Sequence, residues 1–240
     1  MRPRRKPAVA DTHSEHVQTK YAGLAHQFED LAQQHEADTL GIWLFLVTEI
    51  MFFGGVFAAY AIFRWFYFAA FAGGSHLLDI RLGAINTVVL LGSSLTMALS
   101  VRSAQVGNRR ALVLFLVLTM ILGGAFLGVK AYEYHQKFVE HIVPSLDWAP
   151  EGEVLARLAP GGLDHAQLYF FFYFAMTGLH ALHMIIGMGL LLWLVLRARK
   201  GSFTPDYFAP VEVVGLYWHF VDIVWIFLFP LLYLINLGLR

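Results

Sequence analysis

Residues 40–68 read LGIWLFLVTEIMFFGGVFAAYAIFRWFYF and contain only two charged side chains, Glu49 and Arg64. An α-helix rises 1.5 Å per residue, so about 20 apolar residues cross the ~30 Å hydrocarbon layer of a bilayer. The stretch therefore predicts a transmembrane helix. Glu49 lies nine residues after Leu40, roughly 13 Å along the helix and close to the membrane centre. Because an unpaired carboxylate is costly there, we expect Glu49 to face protein or water and to have a partner.

The composition of the whole chain indicates a membrane protein. Hydrophobic residues make up 58% of the 240 positions and charged residues 14%, and the mean hydropathy is +0.59. These values are typical of an all-α, polytopic bundle of membrane helices. The formal net charge of zero argues against a nucleic-acid partner, because no basic face is available for phosphates. The absence of cysteine excludes thiolate metal sites and iron–sulfur clusters.

Five stretches are apolar and long enough to span a membrane. Arg109 and Arg110 lie in the second connection between them, Arg199 and Lys200 lie in the fourth, and the third is rich in acids. Because short basic loops remain on the cytoplasmic side, we expect a cytoplasmic N-terminus and an external C-terminus. The predicted spans are residues 40–68, 82–101, 112–131, 167–196 and 213–237.

The sequence before the first span predicts a cytoplasmic tail, residues 1–38, followed by a five-helix domain, residues 39–240. The basic N-terminus is not followed by an apolar run, so it does not resemble a secretory signal. Leu24, Phe28 and Leu31 recur at helical spacing. They favour either a short amphipathic helix at the membrane surface or, equally, a solvated tail.

Small and polar residues within the spans predict contacts between helices. Gly54 and Gly55 each precede an alanine by four positions, and Gly124 precedes Gly128 by the same interval. This spacing permits close helix contact. Interhelical hydrogen bonds are expected for Asn86, Ser93, Ser94 and Thr119.

Lys130 and Glu133 lie at the predicted outer end of the third span. Their spacing of three residues predicts an exposed ion pair that anchors the helix at the membrane interface.

The last two spans carry histidines at helical spacing. His180 and His183 lie three residues apart and share a helix face, as do His219 and Asp222. Two such histidines could ligate a metal or a haem, but no carboxylate-rich helix pairs with them. Buried, hydrogen-bonded histidines are the favoured interpretation.

Residue counts place four of these polar side chains at similar depth. Asp222 lies about 13 Å inward from residue 213, as Glu49 does from residue 40. We expect Glu49, His183, His219 and Asp222 to form one polar layer, since two acids and two histidines can share protons without net charge. The layer either joins helices or serves proton handling or lipid-headgroup contact. For Glu49 we favour function, because Gln or Ser would make a structural bond at lower cost.

Five segments, in this order, resemble subunit III of the haem–copper oxidases: LGIWLFLVTEIMFFGG, GAINTVVLLGSSLTM, KAYEYHQ, TGLHALHMIIG and YWHFVDIVWIFLF. The match covers nearly all of residues 24–240. The resemblance implies an all-helical bacterial inner-membrane subunit without haem or copper, which docks on subunit I, supports proton uptake, binds lipids in a cleft and protects the enzyme during turnover. Cofactors would reside in the partner subunits I and II, with cytochrome c an indirect partner and bound phospholipid expected.

The resemblance also assigns residues. Glu49 matches the family's buried glutamate, and His180 and His183 match its paired histidines. The last-helix signature is matched by Tyr217, Trp218, His219 and Asp222. Seven-helix members have two further N-terminal helices that form one arm of the lipid cleft. This chain resembles the five-helix bacterial form.

The absence of cysteine independently excludes the subunit with the dinuclear copper site. Alternatives remain open at this point. The oxidase could use cytochrome c or quinol, or be a nitric oxide reductase homologue. A small proton-coupled transporter using Glu49 and Asp222, and a membrane haem protein using His180, His183 or His219, are less favoured.

Overall fold

The computed structural model describes residues 27–144, 147–158 and 162–235. Five of its helices are long and apolar enough to cross a membrane, which confirms the predicted all-α membrane architecture. The elements are α1 (Leu31–Phe66), α2 (Phe68–Ser75), α3 (Ile80–Gln105), α4 (Arg109–Val139), β1 (Ile142–Val143), β2 (Asp147–Trp148), α5 (Gly152–Leu158), α6 (Leu163–Arg199) and α7 (Ala209–Tyr233). The spanning helices are α1, α3, α4, α6 and α7. The orientation of the termini stays a prediction.

The helices extend beyond the spans that hydropathy predicted. Helix α1 begins at Leu31, after Asp30 accepts a hydrogen bond from the backbone N–H of Gln33 at 2.7 Å. This is the usual way to satisfy a free donor at a helix start. Residues 31–38 are therefore continuous with the first membrane helix, and the predicted boundary at 38/39 lies inside it. The part of the predicted surface helix before residue 27 lies outside the described residues.

A short two-stranded antiparallel ribbon lies in the connection that follows α4. Strands β1 and β2 pair Ile142 with Trp148 and Val143 with Asp147 in the connection between α4 and α6. The ribbon contacts both of these helices. It closes one end of the bundle and does not alter the fold class.

Helix α7 lies at the centre of the bundle and α1 at its edge. Helix α3 packs against α4 and α7, α4 packs against α6, and α6 packs against α7. Helix α1 packs mainly against α7 and has few contacts with α6. Of the five spanning helices, α7 is the most buried and α1 the least.

Glycines receive the aromatic side chains of α7. A Cβ atom at Gly123 of α4 would lie 2.8 Å from the Trp218 ring, and one at Gly187 of α6 would lie 3.0 Å from it. A Cβ at Gly83 of α3 would lie 2.6 Å from Phe229. These positions have room for hydrogen only, so glycine sets how closely α3, α4 and α6 approach α7.

The four glycines predicted to mediate helix contact do not do so within this chain. A Cβ atom at Gly54, Gly55, Gly124 or Gly128 would meet no atom within 4 Å. The four-residue spacing correctly places each pair on one face. Spacing alone does not determine whether that face meets a neighbouring helix, and here no atom of the chain lies against these glycines.

Three of the four expected interhelical hydrogen bonds form. Thr119 of α4 bonds Thr96 of α3 at 2.8 Å. Ser93 accepts from the indole N–H of Trp218 at 3.0 Å, and Ser94 bonds His219 at 2.7 Å. Asn86 is fully buried, but its amide has no hydrogen-bond partner within the described ranges.

Neighbouring glycines on α4 allow a matched test of this packing. We expect Gly123→Leu to destabilise the chain by about 1–3 kcal/mol, the usual cost of overpacking, because the new side chain meets Trp218. Gly124→Leu adds the same side chain to the same helix turn in open space and should leave stability near that of the wild type. Thermal denaturation of the purified protein measures both. Equal losses from the two variants would contradict the proposed packing.

Candidate functional site

Glu49 has a hydrogen-bonding partner, as its predicted position near the membrane centre requires. Its Oε2 lies 3.2 Å from Nε2 of His183, so the contact joins the edge helix α1 to α6. The two side chains are 19% and 13% exposed, respectively. The pair is thus largely shielded, and it provides a polar link between two helices that otherwise have few contacts.

The surrounding hydrogen bonds fix where protons reside in this pair. Nδ1 of His183 lies 2.8 Å from the Leu179 carbonyl oxygen. Because a carbonyl can only accept, Nδ1 carries a hydrogen. Nε2 then either accepts a hydrogen bond from protonated Glu49 or, in an imidazolium ring, donates one to the carboxylate.

Both arrangements have one proton between the two side chains and no net charge. Removing that proton would leave two acceptors facing each other at 3.2 Å with a mostly buried negative charge. The contact can therefore hold one proton between the two side chains.

Aromatic neighbours hold His183 in place. The ring of Phe53, on α1, meets the imidazole edge-to-face with centroids 5.3 Å apart. Tyr217, on α7, donates its hydroxyl to the backbone carbonyl of His183 at 2.9 Å. These contacts bring α1, α6 and α7 together at one point, and they give Tyr217 of the last-helix signature a specific structural role.

The four residues predicted to form one polar layer are divided into two groups. Glu49 bonds His183, whereas His219 bonds Ser94 of α3. Asp222 is 3% exposed, and Ser94 is a polar side chain beside its carboxylate. No hydrogen bond connects the two groups in that part of the chain, so proton sharing among all four residues stays a prediction. Counting residues along each helix predicted comparable depths in the membrane. It could not predict the direction in which each side chain points around its helix.

His180 differs from its neighbour His183. It is 1% exposed, lies 5.4 Å from the rings of both Phe126 and Trp225, and has no hydrogen-bond partner among the described residues. The expectation of a buried histidine is met, and the expectation that it is hydrogen-bonded is not. Within the described ranges no group of three His, Cys, Asp or Glu side chains is placed to hold a metal ion.

Comparisons with known proteins decide the family. The model of the family described as cytochrome c oxidase subunit III matches residues 26–141 and 165–236. The chain belongs to this family. The motifs Glu49, His180–His183 and Tyr217–Asp222 all fall within the matched regions, so the resemblance found in the sequence is confirmed. The chain is accordingly subunit III of a haem–copper oxidase, a non-catalytic, multi-pass membrane component of a complex with other oxidase subunits.

Relatives include oxidases of two kinds. Cytochrome c oxidase subunit 3 of Corynebacterium diphtheriae is 33% identical over 200 residues, covering 82% of this chain and 88% of the relative. The corresponding subunit of Alkalihalophilus pseudofirmus is 31% identical, covering 83% and 87%. Quinol oxidase subunit 3 of Bacillus subtilis is 29% identical with the same coverage.

A buried ion pair in this subunit III chain differs from what the sequence predicted. Lys130 and Glu133 are 4% and 3% exposed, so they are not a surface anchor. Lys130 Nζ lies 2.7 Å from Glu133 and donates to the hydroxyls of Tyr233 and Tyr173 at 2.9 and 3.2 Å. Tyr233 in turn donates to Glu133 at 3.0 Å.

This cluster joins three helices at one end of the bundle. It contains Lys130 and Glu133 of α4, Tyr173 of α6 and Tyr233 of α7. Sequence reasoning missed it because the predicted third span ended at residue 131, whereas α4 continues to Val139 against its neighbours. The spacing of Lys130 and Glu133 was a usable signal, since it places both on one helix face.

Removal of the lysine tests the energetic role of this cluster. We expect Lys130→Met to destabilise the bundle by about 3–5 kcal/mol, because Glu133 would remain buried without its cation. The double variant Lys130→Met/Glu133→Gln should recover much of that loss, since no charge is left unpaired. Chemical or thermal unfolding of the purified protein measures both. Losses that simply add in the double variant would show that the two residues do not act as a pair.

Proposed function

We propose that this chain has no redox centre of its own and serves a bacterial plasma-membrane terminal oxidase by docking on subunit I. Haems and copper would belong to subunits I and II, and cytochrome c would be an indirect partner. The chain would support proton uptake, bind phospholipid and prolong activity during turnover. The observation that carries the proposal is the Glu49–His183 contact, because a carboxyl group and an imidazole in hydrogen-bond contact can hold one proton between two largely apolar helices.

The edge position of α1 supports this role. The helix has few neighbours within the chain, and it exposes large apolar side chains that include Leu40, Met51 and Trp65. Such a surface suits contact with lipid or with another membrane subunit. A proton-binding pair in the middle of this helix would respond to the lipid or subunit that lies against it.

A quinol-oxidizing complex is the second candidate. The quinol oxidase relative from Bacillus subtilis is almost as similar to this chain as the cytochrome c oxidase relatives are. We favour cytochrome c as donor because that description belongs to the matching family model.

Purification of the tagged chain from its native membrane tests both assignments. We expect co-elution of haem- and copper-bearing subunits, with oxygen consumption driven by reduced cytochrome c. Activity with quinol in place of cytochrome c would favour the second candidate. A colourless eluate that contains this chain alone would contradict the proposal and direct attention to proton flux in liposomes.

Two substitutions at Glu49 separate a proton-binding role from a purely structural one. In Glu49→Gln the amide can still donate a hydrogen bond to Nε2 of His183, but it has no transferable proton. In Glu49→Ala the contact is lost. We expect both variants to lose oxygen-consuming activity faster than the wild type during sustained turnover, while Glu49→Gln retains normal assembly.

The matched control is Glu36→Gln, which removes an exposed carboxylate from the same helix and should behave as the wild type. A Glu49→Gln complex with a wild-type active lifetime, beside a short-lived Glu49→Ala complex, would show that the contact is structural only.

A further inference from the structure

Two cavities lie between the N-terminal part of α1 and the start of α7. One has a volume of about 240 Å³ and the other about 110 Å³. His35 and Asp38 of α1 and Ala209 of α7 line both of them. The two cavities are therefore adjacent parts of one recess, which separates the starts of these two helices.

The recess carries unpaired negative charge. Its carboxylates belong to Asp38, Asp206 and Glu212. None of the ion pairs among the described residues involves these three side chains, and neither Lys nor Arg lines the recess in that part of the chain. Tyr207 and Phe208 add aromatic rings to its wall. Carboxylates beside aromatic rings suit a guanidinium group, which can pair with the former and stack on the latter.

A basic segment precedes α1 in the same chain. Arg2, Arg4, Arg5 and Lys6 place four cations within five positions, and the first acid after them is Asp11. The match to the subunit III family begins at residue 26, so the family resemblance assigns this segment no role. Its charge is opposite to that of the recess and similar in size.

The basic segment is tethered close enough to reach the recess. Lys6 lies 25 positions before Leu31, the first residue of α1. Even at the 1.5 Å rise of a helix, these positions would extend ~38 Å. Asp38 lies only seven residues into α1, roughly 10 Å from its start. A partner on so short a tether has an effective concentration on the order of millimolar, so a few exposed ion pairs are sufficient to hold it.

We propose that the basic segment, residues 2–6, docks in this recess and pairs its cations with Asp38, Asp206 and Glu212. The contact connects the N-terminal tail to the starts of both α1 and α7. It thereby adds an attachment for α1, the edge helix of the bundle.

The inference goes beyond the proposed function, since it involves neither the electron donor nor the Glu49–His183 pair. Two other arrangements are tested with it. Anionic lipid headgroups could bind residues 2–6 away from the recess, or a basic segment of a partner subunit could occupy the recess instead. In both, the position of residues 2–6 would not depend on the carboxylates of the recess.

The test is a distance measurement in the oxidase complex purified through a C-terminal tag on this chain. The chain contains no cysteine, so Ala8→Cys/Thr204→Cys introduces two spin-label sites, one beside the basic segment and one beside Asp206. Double electron–electron resonance should show a narrow peak at roughly 20 Å, because only two residues separate each label from the contact. The complex with Thr204→Cys alone supplies the background. A broad distribution without this peak would overturn the proposal.

Neutralizing the recess should release the segment. In the doubly labelled chain, Asp38→Asn/Asp206→Asn/Glu212→Gln should reduce the narrow population roughly tenfold, the loss expected from three exposed ion pairs. A narrow peak that persists in this variant would overturn the proposal, because lipid or another surface would then hold the segment.

The matched control removes three exposed carboxylates that do not line the recess. They are Glu29, Glu36 and Glu151, and their replacement by Gln should leave the narrow peak unchanged. An equal loss in this control would show that net charge, and not the recess, determines the distance.

An exchange of charges tests the pairing directly. Arg4→Glu/Arg5→Glu should lose the narrow peak, and the further changes Asp38→Arg/Asp206→Arg should restore it. Anionic lipid cannot restore the position of an acidic segment. A peak that stays lost in the exchanged variant, although its complex assembles normally, would overturn direct pairing.

The same samples separate this inference from the proposed function. The optical spectrum and oxygen consumption report whether the chain resides in an oxidase, wherever residues 2–6 lie. Co-purified haem subunits without the narrow peak would leave the oxidase role intact and reject the docked segment.

Discussion

The arrangement of the bundle depends on how the aromatic side chains of α7 fit against its neighbours. Trp218 lies against glycines of both α4 and α6, and its indole N–H bonds Ser93 of α3. Two turns further along α7, the indole N–H of Trp225 donates to the hydroxyl of Thr87 on α3. A membrane offers no hydrophobic driving force between helices, so close packing and such hydrogen bonds must hold them together. Helix α7 supplies both to three other helices at once.

Helix α1 is the exception, because it lies at the edge of the bundle and polar contacts help to attach it. It contacts the bundle through the Glu49–His183 pair and through Tyr60, whose hydroxyl donates to the Leu231 carbonyl at 2.7 Å. That carbonyl lies in the last turn of α7, where no backbone donor is available for it within the helix. The edge helix therefore depends on a carboxyl–imidazole contact and a hydroxyl–carbonyl contact for its polar attachment to the bundle.

Hydropathy predicted the number and approximate centres of the membrane helices because burial in lipid demands long apolar stretches. It did not predict their ends. Lys130, Glu133 and Lys137 are all buried, since the protein encloses the end of α4 where the apolar run has finished. A hydropathy profile detects segments that are buried in lipid. It does not detect charged side chains that are buried among other side chains of the protein.

The partner of Glu49 was only partly predictable. Depth along the helix indicated that Glu49 needed a buried partner, and His183 was among the four residues proposed. Periodicity shows which residues share a face but not which way that face points. For the same reason the spacing of Gly54 and Gly124 did not reveal that neither glycine has a neighbouring atom within 4 Å of a Cβ position, whereas Gly123 packs against Trp218. The family resemblance, by contrast, was readable from the motifs themselves.

The most direct test of the account is the protonation of His183, measured by nitrogen-15 NMR on the histidine-labelled complex and assigned by difference from His183→Asn. We predict that Nδ1 carries a hydrogen at all times. Nε2 then either accepts a hydrogen bond from protonated Glu49 or donates one to the Glu49 carboxylate. A ring protonated on Nε2 alone, with Nδ1 bare, would contradict the arrangement from which the proton-binding role is derived.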